Sequence, residues 1–211
     1  MKKHKPVLIC VAGGTASGKT TVSKEIIKTL NKKVKTQLIC IDSFYSRDLE
    51  KTKQNELHTN VNFDHPNAFD WPLIEKTFKT LLDNKTARIP IYDYKISRRS
   101  KETKLIKPTD VIIFEGILSL YNKSINKIAS IKIYVDSPSD ERFIRRFLRD
   151  KNERGRNDEN IIAQWRNVVQ PMYKEFIEPQ KRNADLVIPW TTYNTVAIDF
   201  LKCALINQIK K

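Results

Sequence analysis

The chain has 211 residues and a formal net charge of +15; this length suits one α/β domain over residues 1–211 and excludes two full domains. No run of about 18 apolar residues occurs, and no signal-peptide cleavage region follows the basic N-terminus, so we expect a cytoplasmic protein without a membrane partner. Lysine is spread along the whole chain without interleaved aromatic residues, which favours solvated lysine-rich faces over a nucleic-acid partner.

Apolar runs and helical periodicity alternate along the chain. Short buried strands are predicted at residues 7–12, 37–41, 111–114, 131–135 and 186–188. Helices are predicted at residues 20–30, 72–83, 140–151, 160–176 and 194–209. This alternation indicates an α/β fold with a parallel five-stranded sheet covered by helices on both faces.

The phosphate-binding pattern follows the first predicted strand. Three of the five glycines fall in the segment Gly13-Gly14-Thr15-Ala16-Ser17-Gly18-Lys19-Thr20, which leads into the first predicted helix. In this strand–loop–helix context the pattern G-x-x-x-x-G-K-[ST] predicts a P-loop whose amides bind phosphate, rather than a glycine turn followed by a chance Lys-Thr. Lys19 would reach the β- and γ-phosphates and Thr20 would bind Mg²⁺, with Thr21 completing the nucleotide site.

Two acids end predicted strands at the edge of the sheet where open α/β folds bind ligands. Asp42 ends the second strand and would position the acceptor; alone, it could equally be a helix cap or turn residue. Glu115 ends the third strand before Gly116 and would be a second, magnesium-side acid, although a solvent-facing turn acid is its alternative.

A polar turn between extended pieces at residues 89–92 and 103–106 predicts a β-hairpin flap, about residues 88–108, beside the main sheet. Further along, arginines 142, 145, 146 and 149 have the spacing of one helix face, which an ordinary amphipathic helix would explain. The continuation Arg154-Gly155-Arg156 carries two more guanidiniums past a glycine hinge, which favours a closing lid over about residues 149–160.

Cysteine and histidine usage gives no sign of a metal site. Cys10, Cys40 and Cys203 are far apart, which favours buried reduced thiols. His4, His58 and His65 lack the spacing of paired ligands, so a zinc site has no support.

Several blocks in this order resemble the uridine kinase (uridine/cytidine kinase) family over nearly the whole chain. They are the P-loop, Asp42 to Tyr45, Asn62 to Asp70, Ile89 to Tyr94, Phe114 to Leu118 and Glu153 to Arg156. The resemblance implies a kinase of pyrimidine salvage that uses ATP or GTP with Mg²⁺ to phosphorylate the 5′-hydroxyl of uridine or cytidine. It also implies a homo-oligomer, a tetramer, and feedback by pyrimidine triphosphates.

The same resemblance implies roles for single residues. Asp42 would be the general base, and Asp64 with Arg146 would hold the ribose hydroxyls. Lys19, Arg149 and Arg154 would act on the triphosphate. The base pocket would be formed by Tyr45, Phe63, Tyr92, Arg156 and Gln164.

The chain departs from the family at one position of the base pocket. Where the family usually carries a histidine that reads the base, this chain has Ser97, while Arg99 matches the family's arginine two residues later. A lost hydrogen bond of about 1–3 kcal/mol would shift the preference between uridine and cytidine without abolishing phosphorylation.

Two other functions remain open from the sequence. A pantothenate or phosphoribulose kinase would share the P-loop and the strand-end acid, but neither is expected to carry both the Asn62 to Asp70 block and the Glu153 to Arg156 lid. A P-loop NTPase that binds nucleic acid would instead use the positive charge.

Overall fold

The computed structural model describes residues 5–30, 34–51, 61–94 and 96–209. It contains seven strands within this part of the chain: β1 Val7–Ala12, β2 Thr36–Cys40, β3 Ala87–Asp93, β4 Arg98–Ile106, β5 Val111–Glu115, β6 Ile131–Asp136 and β7 Leu186–Pro189. The α-helices are α1 Lys19–Leu30, α2 Trp71–Leu82, α3 Lys123–Ile128, α4 Ser139–Asn152, α5 Asp158–Gln164, α6 Gln170–Met172 and α7 Thr195–Ile209.

Five of the strands form one parallel sheet in the order β2-β5-β1-β6-β7, as the sequence predicts. All residues of β5 are buried, and so are five of the six in β1. Strands buried on both faces are typical of a parallel sheet between helical layers. Because the strands are parallel, their carboxyl ends meet at one edge of the sheet.

Alternate residues of β1 enter two separate cores. Leu8, Cys10 and Ala12 face a core that includes Ile74 and Phe78 of α2. Ile9 and Val11 face the other core, which α1 and α7 complete. Burying apolar side chains on both faces fixes the register of β1, because a shift by one residue would exchange the two faces.

The predicted flap is confirmed as the antiparallel hairpin β3–β4, and both of its strands are longer than predicted. Its register shifts between Pro90 and Tyr92. Proline lacks an N–H to donate to a ladder and is therefore tolerated at such an irregularity. Lys95, in the hairpin turn, lies outside the described residues.

The helix predicted at residues 160–176 is not one regular helix. After α5, π-helical turns at Trp165–Val169 and Tyr173–Ile177 flank α6, and a 3₁₀ segment, Glu178–Asn183, follows. Pro171 in α6 cannot donate a helical hydrogen bond, which explains part of the irregularity. The short helix α3, capped by the Asn122 side chain, was not predicted.

The sequence predicts that all three cysteines are buried, and this prediction is wrong for two of them. Cys10 is buried, but Cys40 is only partly buried and Cys203 is exposed. The exposure of Cys203 follows from its position in α7, whose inward face is formed by Ile198, Leu201 and Leu205. All three thiols are free.

No helix in the described ranges combines the length and the apolar character required to cross a lipid bilayer. His4 and His58 lie outside the described residues. His65, the remaining histidine, precedes a 3₁₀ turn and accepts a hydrogen bond from the Asn67 amide. Its ring therefore has a local structural role.

Candidate active site

A cavity of about 560 Å³ opens at the carboxyl edge of the main sheet. Most of the predicted site residues line it: Thr15, Ala16, Gly18, Lys19, Thr20, Thr21, Asp42, Tyr45, Phe63, Asp64, Tyr92, Ser97, Glu115, Arg146, Arg149, Arg154, Arg156 and Gln164. Gly13, Gly14, Ser17 and Arg99 are not part of the lining. The fold thus brings together residues that are widely separated in sequence.

The phosphate-binding loop runs between β1 and α1. Gly18 adopts φ +98°, which an L-residue rarely adopts, and a Cβ there would collide with the Trp190 indole. Gly14 lies against the Arg142 guanidinium, and its carbonyl accepts a 2.7 Å hydrogen bond from Lys19 Nζ. Burial lowers the pKa of Lys19, and the carboxylate of Glu115 opposes that shift. The side chain of Lys19 therefore bonds back to the backbone of the loop that precedes it.

Thr20 and Glu115 meet beside this loop, where the Thr20 hydroxyl donates to Glu115 Oε1 at 3.3 Å. Burial raises the pKa of Glu115, while the nearby Lys19 lowers it. Hydroxyl and carboxylate oxygens suit Mg²⁺, which usually takes one or two protein ligands plus substrate phosphates. The described residues contain no cluster of three or more Cys, His, Asp or Glu able to hold a metal. The donor set thus fits a magnesium ion that arrives with a nucleotide.

Asp42 lies in a 3₁₀ turn, Ile41–Phe44, that directly follows β2. No side-chain hydrogen bond caps this turn. The Asp42 carboxylate instead accepts a 3.0 Å hydrogen bond from the Tyr94 hydroxyl on the flap. The flap therefore reaches the strand-end acid and holds one of its oxygens.

Asp64 is a buried carboxylate of the cavity, with 8% of its surface exposed. Its Oδ2 has no hydrogen-bond partner among the described residues. Burial raises the pKa of Asp64, and Arg146 opposes the shift. A buried acceptor without a partner is costly unless a ligand satisfies it, so this oxygen is available for a hydroxyl donor.

Aromatic rings form another wall of the cavity. Tyr45 makes an edge contact with Phe63 at 5.2 Å and lies 5.0 Å from Tyr92, measured between ring centroids. Tyr92 in turn contacts Tyr94 at 5.1 Å. Rings in such contact present both faces and edges to a flat ligand.

Ser97 lines the cavity next to these rings, and its side chain forms a hydrogen bond with the Tyr92 hydroxyl. It adopts φ +53°, in the left-handed region. Arg99 points elsewhere: its guanidinium lies 3.5 Å from Asp70, whose carboxylate also caps α2. The structure therefore separates these two residues of the flap.

Four arginines reach the cavity from the end of α4 and the following loop. Arg146 donates to the Thr15 hydroxyl at 3.1 Å and, together with Arg156, to Gln164 Oε1 at 2.9 and 2.6 Å. Arg149 and Arg154 line the same cavity. All four also contact Asp150, which the sequence analysis did not single out.

Tyr94, Cys40 and Arg145 also line the cavity without having been predicted as site residues. Tyr94 stands within the Ile89 to Tyr94 block, so the block itself was a signal for it. Arg145 donates to the backbone oxygens of Trp190 and Thr191. Asp150 could have been noticed from its i,i+4 spacing to Arg146 and Arg154.

Comparison with known proteins identifies similar sequences and similar folds. The model of the phosphoribulokinase / uridine kinase family matches residues 8–197. The uridine kinase of Ureaplasma parvum serovar 3 is 41% identical over 95% of this chain and 96% of its own. Uridine-cytidine kinase B of Dictyostelium discoideum is 47% identical over 94% of this chain and 80% of its own. Phosphoribulokinase from Rhodobacter spheroides is 16% identical, with a TM-score of 0.65 over 88% of this chain and 70% of that one, which shows a shared fold.

Proposed function

Because the chain belongs to the phosphoribulokinase / uridine kinase family, we propose that it is a uridine/cytidine kinase. It transfers the γ-phosphate of ATP or GTP to the 5′-hydroxyl of a pyrimidine ribonucleoside and yields UMP or CMP. The observation that carries this proposal is the shared cavity, in which the phosphate-binding loop, Asp42 and the buried Asp64 line one space.

At the donor end, loop amides and Lys19 bind the triphosphate, and Arg149 and Arg154 reach it from the lid side. Thr20 and Glu115 would hold Mg²⁺, which would neutralise negative charge on the bound triphosphate. The lowered pKa of Lys19 reflects burial before any phosphate is bound; an arriving polyanion would favour the charged amine.

At the acceptor end, Asp42 orients the 5′-hydroxyl and takes its proton as the hydroxyl oxygen bonds to the γ-phosphorus. The bond from that phosphorus to the bridging oxygen breaks, and the electron pair leaves with the nucleoside diphosphate. Tyr94 donates to one oxygen of Asp42, which leaves the other oxygen for the substrate proton. Positioning of this kind accounts for most of the catalysis in phosphoryl transfer.

Nucleoside recognition uses the remaining lining residues. The unpartnered Asp64 Oδ2 accepts from a ribose hydroxyl, with Arg146 beside it. Tyr45, Phe63 and Tyr92 pack against the pyrimidine ring, and Gln164, Arg156 and Ser97 meet its polar edge. Arg156 Nη2 is buried and has no partner in the described chain, so it can serve such an edge.

The test is release of the nucleoside diphosphate, ADP from ATP or GDP from GTP, in a coupled assay with uridine, cytidine, adenosine, pantothenate or no acceptor. Release only with the two pyrimidine ribosides is expected. Release with pantothenate would assign the cavity to another small-molecule kinase. Release without any acceptor, together with salt-sensitive retention of DNA or RNA, would instead support a nucleic-acid NTPase.

The family resemblance also supports a cytoplasmic homotetramer without nucleic-acid or membrane partners. Light scattering of the purified protein checks this assembly, with a mass near four chains of 24.6 kDa expected. A monomer would exclude the tetramer and leave the kinase assignment untouched.

A further inference from the structure

Asp150, in the last turn of α4, is a fully buried carboxylate with 0% exposure. The guanidinium groups of four arginines surround it: Arg146, Arg149, Arg154 and Arg156. We call these five residues the arginine cluster. Nothing in the chemistry of the proposed reaction uses Asp150 directly, because it does not line the cavity.

The two oxygens of Asp150 hold different arginines. Oδ1 accepts from Arg149 Nε and Nη2 at 3.0 and 2.8 Å, and it lies 3.4 Å from Arg154 Nη1. Oδ2 lies 3.4 Å from Arg146 Nε and 3.5 Å from Arg156 Nη1. One carboxylate therefore connects two pairs of arginines.

The four arginines face different parts of the cavity, and Arg146 donates to the Thr15 hydroxyl of the phosphate-binding loop. Arg146 and Arg156, whose side chains are 9% and 11% exposed, share Gln164. Arg146 is also the main opposing charge of Asp64. Arg149 and Arg154 are 29% and 32% exposed. Arg149 is close enough to Lys19 to lower its pKa further, whereas the Arg154 guanidinium lies over the Tyr94 ring of the flap, 5.2 Å from its centroid.

Electrostatics explains why a carboxylate is needed between them. Four guanidiniums packed around one point repel each other strongly in a partly dry environment. Burial alone would raise the pKa of Asp150, but the arginines outweigh it and the pKa is lowered. The ionised cluster keeps three net positive charges, enough to attract a triphosphate.

We propose that Asp150 is a positioning residue that couples the two substrate sites, because each of its oxygens holds one arginine directed at the phosphate-binding loop and one directed at the opposite wall of the cavity. Binding at either end orders the arginines that the ligand contacts, and the shared carboxylate passes that order to the other arginines. Each ligand then binds a site that the other has already prepared. This inference rests on the proposed function.

The experiment measures the Kd of uridine with and without a nonhydrolysable ATP analogue and Mg²⁺, and the reverse titration, by calorimetry. In the wild type each ligand should tighten the other by the same factor, about 5-fold or more. In Asp150→Asn that factor should fall to about 1, with the folded state checked by thermal melting. The control is Asp199→Asn in α7, an exposed acid that pairs with Lys202, which should keep the wild-type factor.

A purely structural role for Asp150 would weaken both affinities and leave the factor unchanged, and that result would overturn the proposal. If Asp150→Asn does not fold, Asp150→Glu keeps the charge but displaces both oxygens; its factor should drop at least about threefold, and an unchanged factor overturns the proposal. A wild type that phosphorylates uridine but binds the two ligands independently refutes only the coupling. Failure to phosphorylate any pyrimidine riboside refutes the proposed function.

Discussion

The two ends of the cavity are built in opposite ways. The proposed phosphate end is mainly one contiguous loop, Gly13 to Thr20, in which the Gly14 carbonyl accepts a hydrogen bond from Lys19. The proposed nucleoside end is assembled from side chains of separate segments: Asp64, Tyr92, Arg146 and Gln164. A loop that binds with its backbone tolerates many side-chain changes but few changes of shape. A site made of side chains depends on each one and on what holds it.

The largest expected effect lies where the two ends meet. Asp42→Asn should lower kcat by roughly 10²–10⁴ and leave the KM for ATP nearly unchanged, because the amide orients but cannot take the proton. Steady-state kinetics with saturating uridine measures this. The exposed Asp83→Asn should behave as the wild type. Full turnover combined with a lower Tm would assign Asp42 to structure.

Asp64→Asn should lower kcat/KM for uridine about 10- to 100-fold, since a charged acceptor is lost, with little change in ATP affinity. Loss of ATP binding in this variant would break the division between the two ends. Isothermal titration with ATP alone provides that check.

The pH dependence of Asp64 has a definite sign. Burial raises the pKa of Asp64 in the folded chain above its ordinary value of 3.8. At a pH between the ordinary and the raised pKa, the folded chain therefore binds more protons than the unfolded chain. Stability therefore falls as pH rises through that window, and the cost of the buried charge is complete above it. At pH 7 Asp64→Asn should melt above the wild type, while wild-type kcat/KM should fall on the acid side at a pH above the ordinary aspartate range. A lower melting temperature for the variant would contradict this.

The shape requirement of the phosphate end is tested by two glycines. Gly18→Ala meets both a strained φ of +98° and the Trp190 ring, and should cost about 1–3 kcal/mol of stability together with ATP affinity. Gly155→Ala has φ +62° and no atom within 4 Å, so only the backbone strain of about 1–2 kcal/mol remains. Urea unfolding compares the two variants. Equal losses would show that the indole contact is unimportant.

The smallest effect is expected at the base edge. Ser97→His should change the uridine-to-cytidine ratio of kcat/KM by roughly tenfold or less, with the maximal rate nearly constant, because one base-reading hydrogen bond of about 1 kcal/mol is restored. Histidine is enriched in the left-handed region that Ser97 occupies, so the backbone should accept it. An unmoved ratio would remove this position from base recognition.

What could be predicted from the sequence follows the same division. The loop, the strand ends at Asp42 and Glu115, and the sheet were predictable because contiguous apolar runs and glycines determine them locally. Asp150 was not predicted, since charged residues at helical spacing are usually solvated, and only the fold shows that this one has no exposed surface. No role was predicted for Tyr94, because its hydrogen bond to Asp42 depends on where the fold places the flap relative to β2.

The indole that packs against Gly18 belongs to Trp190, which directly follows β7. The backbone amide of Trp190 donates a hydrogen bond to the carbonyl of Asp136 in β6. The most recognisable motif of the chain, near its start, is thus supported by a residue close to its end. During synthesis on the ribosome, a nascent chain would present the whole glycine-rich signature long before the wall behind it exists. Nucleotide binding should accordingly be acquired only after Trp190 has emerged from the exit tunnel.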